Sequence, residues 1–399
     1  MTIEKRKAPS KTSAKKQIVF VDYVSNIINF KIAKVLKFRG DYETTLVSFS
    51  DVNRELCDQA FDKILVLDIK HKIKPKNLFD VFKKIRSKEG RHFIRELKKL
   101  DPYLFQIGSP DLFTLMVLSI FGDAPKICFA YDIWAFYNRP FSFNDLGVKE
   151  FFQRRIEKIC MKKSEGIFHK GAPRELGFLN YKLNKRDLSL LPGCLDEWVQ
   201  PPKKNKNKEL HLVFVGNPTK EEKGRSSFLK IVRTITSQKM HFHSYGKCVD
   251  ERENEVLLQE DKNNPYYHFH QKIGVDELGK EISQYDYGIY LDFWYPGKIN
   301  PLHQKTTMGN KLFDYVGAGL PTITNHQLEY VSKVVEENRI GVVIDFIRDL
   351  DNLKEILFKQ DYSEMLKKIE NAQKNFSWNK TLIHELEKFY EAVVNKKIN

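Results

Sequence analysis

Short runs of consecutive apolar residues alternate along this chain with longer stretches in which apolar residues recur every three or four positions. QIVFV (17–21), TTLVSF (44–49), KILVLDI (63–69), LFQIG (104–108) and KICFA (126–130) read as strands buried on both faces. Between them, the spacing of Ile27, Phe30, Val35, Leu36 and Phe38 predicts a helix up to Gly40, and further helices are expected over 53–60, 112–121 and 148–163. Strands alternating with helices imply a parallel sheet covered on both faces. In such sheets ligands collect at the carboxyl ends of strands, which singles out Tyr131 and Asp132 after the fifth run. A short strand at Ile167 and Phe168 similarly leads to His169.

The pattern stops at PPKKNKNKE, residues 201–209, which lacks any apolar residue and reads as a linker. It then restarts with HLVFV (211–215), a turn at Gly216, and a helix carrying Phe228, Leu229, Ile231 and Val232. Strands are expected within 240–248, 266–271 and 285–291, at PTIT (321–324) and at GVVID (341–345). The chain closes with a helix capped by Ser377, whose Trp378, Leu382, Leu386, Phe389 and Val393 trace one apolar face. The organisation predicted is a tail (1–16), a first domain (17–200), the linker (201–209), a second domain (210–376) and a closing helix (377–399).

Composition sharpens this little, but charge does. A length of 399 residues suits two domains. No apolar run approaches the roughly 18 residues of a membrane span, and the basic start has no apolar segment of secretory type behind it, so a cytoplasmic location is expected. The five cysteines are scattered and read as free thiols. His241 with His243, and His268 with His270, fall on one strand face each, without a Cys or carboxylate at ligand spacing, and no metal site is expected. The net charge of +15 is concentrated early: residues 1–16 carry six Lys/Arg against one Glu, and residues 70–100 carry twelve against three acids. Residues 77–100 form two basic amphipathic stretches meeting at Gly90. They fit a solvated outer face of the first domain, a contact with an anionic membrane surface, or both.

The candidate chemistry lies in TTMGNKLFDYVGAGLPTIT, residues 306–324. A polar turn with Thr307 and Gly309 enters a two-turn helix, on which Asn310, Lys311 and Asp314 share a face while Leu312, Phe313 and Val316 turn elsewhere. Free N–H groups at a helix start suit a phosphate, and a carboxylate one turn on suits a ribose diol. A surface ion pair beside an ordinary stop signal would read the same way. The Gly216–Asn217 turn, with Lys220, Lys223 and Arg225 following, is a second place where phosphate oxygens fit.

The whole string resembles the retaining glycosyltransferases of the GT-B fold, family 4 type, whose members commonly read Asn-Lys-Leu-Phe-Glu-Tyr-Met-Ala-Ala-Gly-Lys-Pro-Val-Ile here. The resemblance implies an α/β GT-B architecture: two Rossmann-like parallel-sheet domains facing a cleft, with the last helix crossing back to the first. It implies transfer of a hexosyl group from a nucleotide-diphosphate sugar to a hydroxyl of a lipid-linked or cell-surface glycan acceptor, with retention and with neither cofactor nor metal. Carried over residue by residue, it puts the diphosphate against Lys223, Arg225 and the Gly309–Lys311 end of the helix, the base beside Gln271, Lys272 and Ile273, and the ribose on Asp314. Asp132 becomes an acceptor-side residue and candidate base. The chain departs from the family in having Thr306 where many members have a Glu near the sugar, Asp314 for Glu, and Tyr23 to Asn26 in place of a Gly-Gly turn. Three other readings stay open: a nucleotide-sugar epimerase, a basic nucleic-acid-binding or membrane-surface protein, and a non-catalytic scaffold. Release of free nucleotide only when an acceptor is added would exclude the first, salt-sensitive binding to oligonucleotides stronger than to anionic liposomes would point to nucleic acid, and failure to bind any nucleoside diphosphate would point to the scaffold.

Overall fold

The computed structural model describes residues 15–22, 27–69, 83–108, 112–137, 148–173, 175–179, 181–183, 185–203, 209–218, 227–246, 251–295, 301–345 and 347–398. Residues 1–14 of the basic tail, residues 23–26, residues 70–82, and Lys220, Lys223 and Arg225 lie outside these, while the last residue of the expected tail, Lys16, opens the first strand. By its internal contacts the chain divides into two compact units, residues 1–128 with 393–399, and residues 129–392.

Seven parallel strands, β1 (Lys16–Val21), β2 (Tyr42–Ser48), β3 (Lys63–Val66), β4 (Leu104–Ile107), β5 (Lys126–Ala130), β6 (Gly166–His169) and β7 (Arg186–Ser189), run in the order β3-β2-β1-β4-β5-β6-β7. β1 lies inside the sheet between β2 and β4 and is apolar on both faces, with Ile18, Val19, Phe20 and Val21 all buried. In the first unit Val19, Val47, Phe49, Leu67 and Phe105 pack under Phe93, Leu97 and Leu100. Those last three are the apolar stripe of the basic segment, whose Lys83, Arg86, Lys88, Arg91, Arg95, Lys98 and Lys99 are exposed. The described part of its apolar face is therefore committed to the core, and these cations face outward together with Glu89 and His92. The break expected at Gly90 falls instead at Ser87, which caps the helix Lys88–Leu97 by accepting the Gly90 N–H at 3.1 Å. Gly90 is buried in the first turn, where a Cβ would strike the carbonyl oxygens of Lys84 and Ile85.

The second sheet, β8 (His211–Val215), β9 (His241–Tyr245), β10 (Tyr267–His270), β11 (Tyr287–Tyr290), β12 (Thr322–Asn325) and β13 (Gly341–Ile344), is also all parallel, in the order β10-β9-β8-β11-β12-β13. Strand order reverses between β8 and β11, the point where an open α/β sheet offers a crevice. There the two strands pair through Leu212 with Tyr287 and Val213 with Gly288. Further along, the Tyr315 hydroxyl takes over, accepting the Val215 N–H at 3.0 Å and donating to the Ile289 carbonyl at 2.9 Å. Gly288 makes room for the Tyr315 ring, which a Cβ there would strike. Tyr315 belongs to the helix Asn310–Gly317, whose Leu312, Phe313 and Val316 pack with Met308, Val331, Val335 and Ile369.

The closing segment is one turn of π-helix, Trp378–Leu382, before the helix Ile383–Ile398. Ser377 caps it as expected, accepting the Lys380 N–H at 3.2 Å. Trp378 is fully buried and donates its indole N–H to the Pro192 carbonyl at 2.7 Å. Cys57, Cys128, Cys160 and Cys194 are buried free thiols.

The paired histidines meet a fifth. His211, His241, His243, His268 and His270 line one face of β8, β9 and β10, with His211 stacked on His241 and His243 on His268, each at 4.4 Å between ring centroids. His241 Nδ1 lies 2.9 Å from His268 Nε2, and His243 lies 3.0 Å from both His211 Nδ1 and His270 Nε2. The Glu209 carboxylate, 2.9 Å from His241 Nε2, can only accept, so a neutral His241 donates there and accepts from His268. Each link thus has one donor and one acceptor while the rings are neutral. Burial and the neighbouring imidazoles hold His211, His268 and His270 below the ordinary histidine range, burial being the larger cause for the first two and the one lowering cause for His270, and they push His243 down to about 2.

Because these groups bind protons less readily folded than unfolded, stability is at full strength above the unfolded histidine pKa of about 6.5 and falls as pH drops below it. Each such histidine contributes a slope of up to about 1.4 kcal/mol per pH unit. Thermal melts should therefore show the midpoint falling steeply between pH 7 and pH 5.5. His243→Gln should flatten the dependence, and a midpoint unchanged over that range would contradict the neutral ladder.

Candidate functional site

Several of the residues singled out by sequence converge at the reversal point of the second sheet. β8 ends at Val215, and Gly216 turns the chain with a φ of +117°, a region that favours glycine. A Cβ on Gly216 would sit 2.9 Å from Lys311 Cε, so the absent side chain is what lets Lys311 lie across the turn. Gly246, at the end of β9, is needed just as closely, since a Cβ there would overlap the Gly216 carbonyl oxygen.

Lys311 points its ammonium over the Phe214 ring at 4.0 Å from the centroid and towards Tyr290 at 5.8 Å. Together with Asp292, Phe228, Ile231, Ile289 and Leu291, these residues line a cavity of about 80 Å³. Burial lowers the Lys311 pKa to about 8, against the opposing pull of the Asp292 and Asp314 carboxylates. Asp314 is half-buried, one turn along the same helix. Gly309 is the N-cap residue, and its backbone lies against the Tyr290 hydroxyl. Here again a Cβ would strike that oxygen. Thr307 turns the chain into the helix, its N–H bonded to the His303 carbonyl at 2.9 Å.

A second group adjoins the helix start. Asn310 donates from Nδ2 to the Tyr131 hydroxyl at 2.9 Å, while its Oδ1 is enclosed and has no protein partner. Asp132, beside Tyr131 at the end of β5, pairs with Lys170 at 3.3 Å. Thr306 donates to Glu175 Oε1 at 2.9 Å, and the other oxygen of that carboxylate lies 3.2 Å from His169 Nδ1.

Of the expected site residues, Lys311 lines this cavity, Gly216 lies against Lys311 and Gly309 against Tyr290, Asn310 and Asp314 sit on the same helix as Lys311, and Asp132 neighbours Tyr131, the partner of Asn310. Asn217 is exposed just after the turn. Gln271 and Lys272 are exposed and Ile273 half-buried, in the segment leaving β10. Lys223 and Arg225 lie outside the described residues. Sequence reasoning passed over Phe214, Tyr290, Asp292, Lys170 and Glu175 as site residues. The strand-end rule, applied to β5, finds Asp292 and Lys170 when applied equally to β11 and β6.

Residues 212–380 match the family model described as the glucosyltransferase 3-like, C-terminal domain. No curated protein matches the sequence. Among solved structures the chain is similar to a glycosyltransferase from Rickettsia africae, with a TM-score of 0.63 at 12% identity over 96% of this chain and 99% of that one. It is similar to a mutant of S. aureus TarM crystallised with fondaparinux, alpha-GlcNAc-glycerol and UDP, with a TM-score of 0.62 at 11% identity over 95% and 100%. A third likeness is to the pneumococcal O-GlcNAc transferase GtfA bound to UDP and GlcNAc, with a TM-score of 0.58 at 10% identity over 97% and 100%. Together with the two parallel sheets, these likenesses establish a GT-B fold.

Gly216→Ala should lower the unfolding free energy by about 1–3 kcal/mol, the usual cost of holding a side-chain-bearing residue in a disfavoured backbone region. Urea denaturation reads this directly, and an unchanged midpoint would mean that the turn does not need its glycine.

Proposed function

We propose that this protein is a glycosyltransferase of the family 4 type that moves a hexosyl group from a nucleotide-diphosphate sugar to a hydroxyl of a glycan or lipid-linked acceptor. The observation that carries the reading is Lys311, a cation held in an aromatic-lined crevice between a glycine turn and a helix start, at the reversal point of a parallel sheet. That crevice suits a diphosphate, and the family match over residues 212–380 supports a sugar-nucleotide domain there. UDP bound to TarM and to GtfA, proteins of the same fold, supports the donor class.

In the reaction proposed, the bond from the anomeric carbon to the diphosphate oxygen breaks, and its electron pair leaves with the diphosphate. The acceptor oxygen forms the new bond to that carbon and gives up its proton to a base or to water. Lys311 and the N–H groups of the Asn310–Gly317 helix would steady the departing charge, with Lys223 and Arg225 as further cations and no metal needed. Asp314 would grip the ribose, and the nucleotide's base would lie along 271–273. Retention at the anomeric carbon follows the family resemblance. The exposed cations of residues 83–99 fit an acceptor anchored in an anionic membrane.

The test is a thermal-shift screen with UDP, GDP and ADP and their sugars. A ligand at 100 times its Kd should add about 2.7 kcal/mol of apparent stability. Lys311→Met keeps the length of the side chain and suits the aromatic cage, so it should leave the melting temperature of the free protein unchanged or higher. It should weaken nucleoside diphosphate binding roughly 10- to 100-fold, as expected for a lost charged hydrogen bond. No shift with any nucleotide, or equal binding by Lys311→Met, would overturn the assignment.

A further inference from the structure

Lys170, the first residue after β6, is 5% exposed. Its ammonium lies 3.3 Å from Asp132 Oδ1 and 3.5 Å from the centroid of the Tyr131 ring. A buried ammonium is costly unless it is paired, so this geometry fixes the lysine and both its partners. The Tyr131 hydroxyl in turn accepts from Asn310 Nδ2 at 2.9 Å, at the first residue of the helix that presents Lys311. The same loop also grips the other end of that segment. The Ala172 N–H donates to the Thr306 carbonyl at 2.8 Å, and Thr306 Oγ1 donates to Glu175 at 2.9 Å.

The groups left facing the Asn310 corner have a definite chemistry. Asn310 Oδ1 is enclosed without a protein partner and requires a donor. The Asp132 carboxylate, whose side chain is 36% exposed, also only accepts. Two acceptors beside the O–H of Tyr131 suit hydroxyl groups, which donate and accept alike, and with the Asp132 charge balanced by Lys170 the corner offers phosphate no net cation, whereas Lys311 does. Resting on the nucleotide-sugar reading above, we propose that the corner formed by Asn310, Tyr131 and Asp132 holds the hydroxyls of the transferring sugar, and that Lys170 is the positioning residue that keeps this corner in register. Lys170 acts through Asp132 and Tyr131, so its loss should disturb turnover and spare nucleotide affinity.

The experiment compares the full chain with Lys170→Met, Lys170→Arg and Tyr131→Phe. Binding is measured with UDP, GDP and ADP. Turnover is measured as release of the bound nucleotide from its glucose, galactose and N-acetylglucosamine conjugates. Lys170→Met should bind the nucleoside diphosphate within twofold of wild type and turn over at least 30-fold more slowly. Lys170→Arg, which retains the cation, should recover most of the rate. Tyr131→Phe, which keeps the ring and the packing, should show the same split between binding and turnover, and it decides the matter if Lys170→Met does not fold. If wild type binds none of the three nucleotides, the donor-site reading itself fails. If wild type binds one, the inference is overturned by any of three results: undiminished turnover in Lys170→Met or Tyr131→Phe, a parallel loss of binding and turnover, or no conjugate turned over by wild type.

Discussion

The second sheet depends on the hydroxyl of Tyr315. At the point where strand order reverses, β8 and β11 cannot both continue their ladder and leave a crevice, because an unpaired buried amide or carbonyl is expensive. The hydroxyl serves both strands at once, accepting from Val215 and donating to Ile289. Since Tyr315 sits on the Asn310–Gly317 helix, the same bonds fix how far that helix start stands from the strand ends. Gly288 supplies the space for the ring, and Gly216, Gly246 and Gly309 remove the atoms that would otherwise fill the opening.

From that anchoring follows a division of labour along one short helix. Its second turn sits on the sheet through Tyr315, its apolar face enters the core through Leu312, Phe313 and Val316, and its first two residues point into different chemistries. Lys311 faces aromatic rings and a carboxylate, while Asn310 faces Tyr131 and, beyond it, the Asp132–Lys170 pair. A cationic end and an acceptor-rich end thus lie one residue apart.

Much of this architecture was legible because it rests on local pattern. The two-sheet α/β organisation followed from apolar runs alternating with helical periodicity, and the Asn310–Gly317 helix from its glycine boundaries and shared polar face. What escaped has physical reasons. β7 reads RDLS, with charged exposed residues, because a sheet edge buries little and leaves no apolar run to read. The break at Ser87 was misplaced because Gly90 looks like a stop signal but is in fact a close-packing residue inside the helix. Lys170 was invisible as a site residue because its meaning depends on Asp132 and Asn310, which lie 38 and 140 positions away in sequence. The histidine pairs were visible as pairs, but the third strand that makes them a ladder entered only with His211.

The lowered pKa of Lys311 has a consequence for how the crevice exchanges protons with its surroundings. Near pH 8 about half of the molecules hold this amine uncharged. An anion entering the crevice favours the charged form, so ligand capture draws a proton from the medium as well as a ligand. The apparent heat of binding would then depend on the ionisation enthalpy of the buffer, and affinity would fall on the alkaline side even though nothing in the ligand titrates there. Through one desolvated lysine, the occupancy of the site is tied to the acidity of the solution around it.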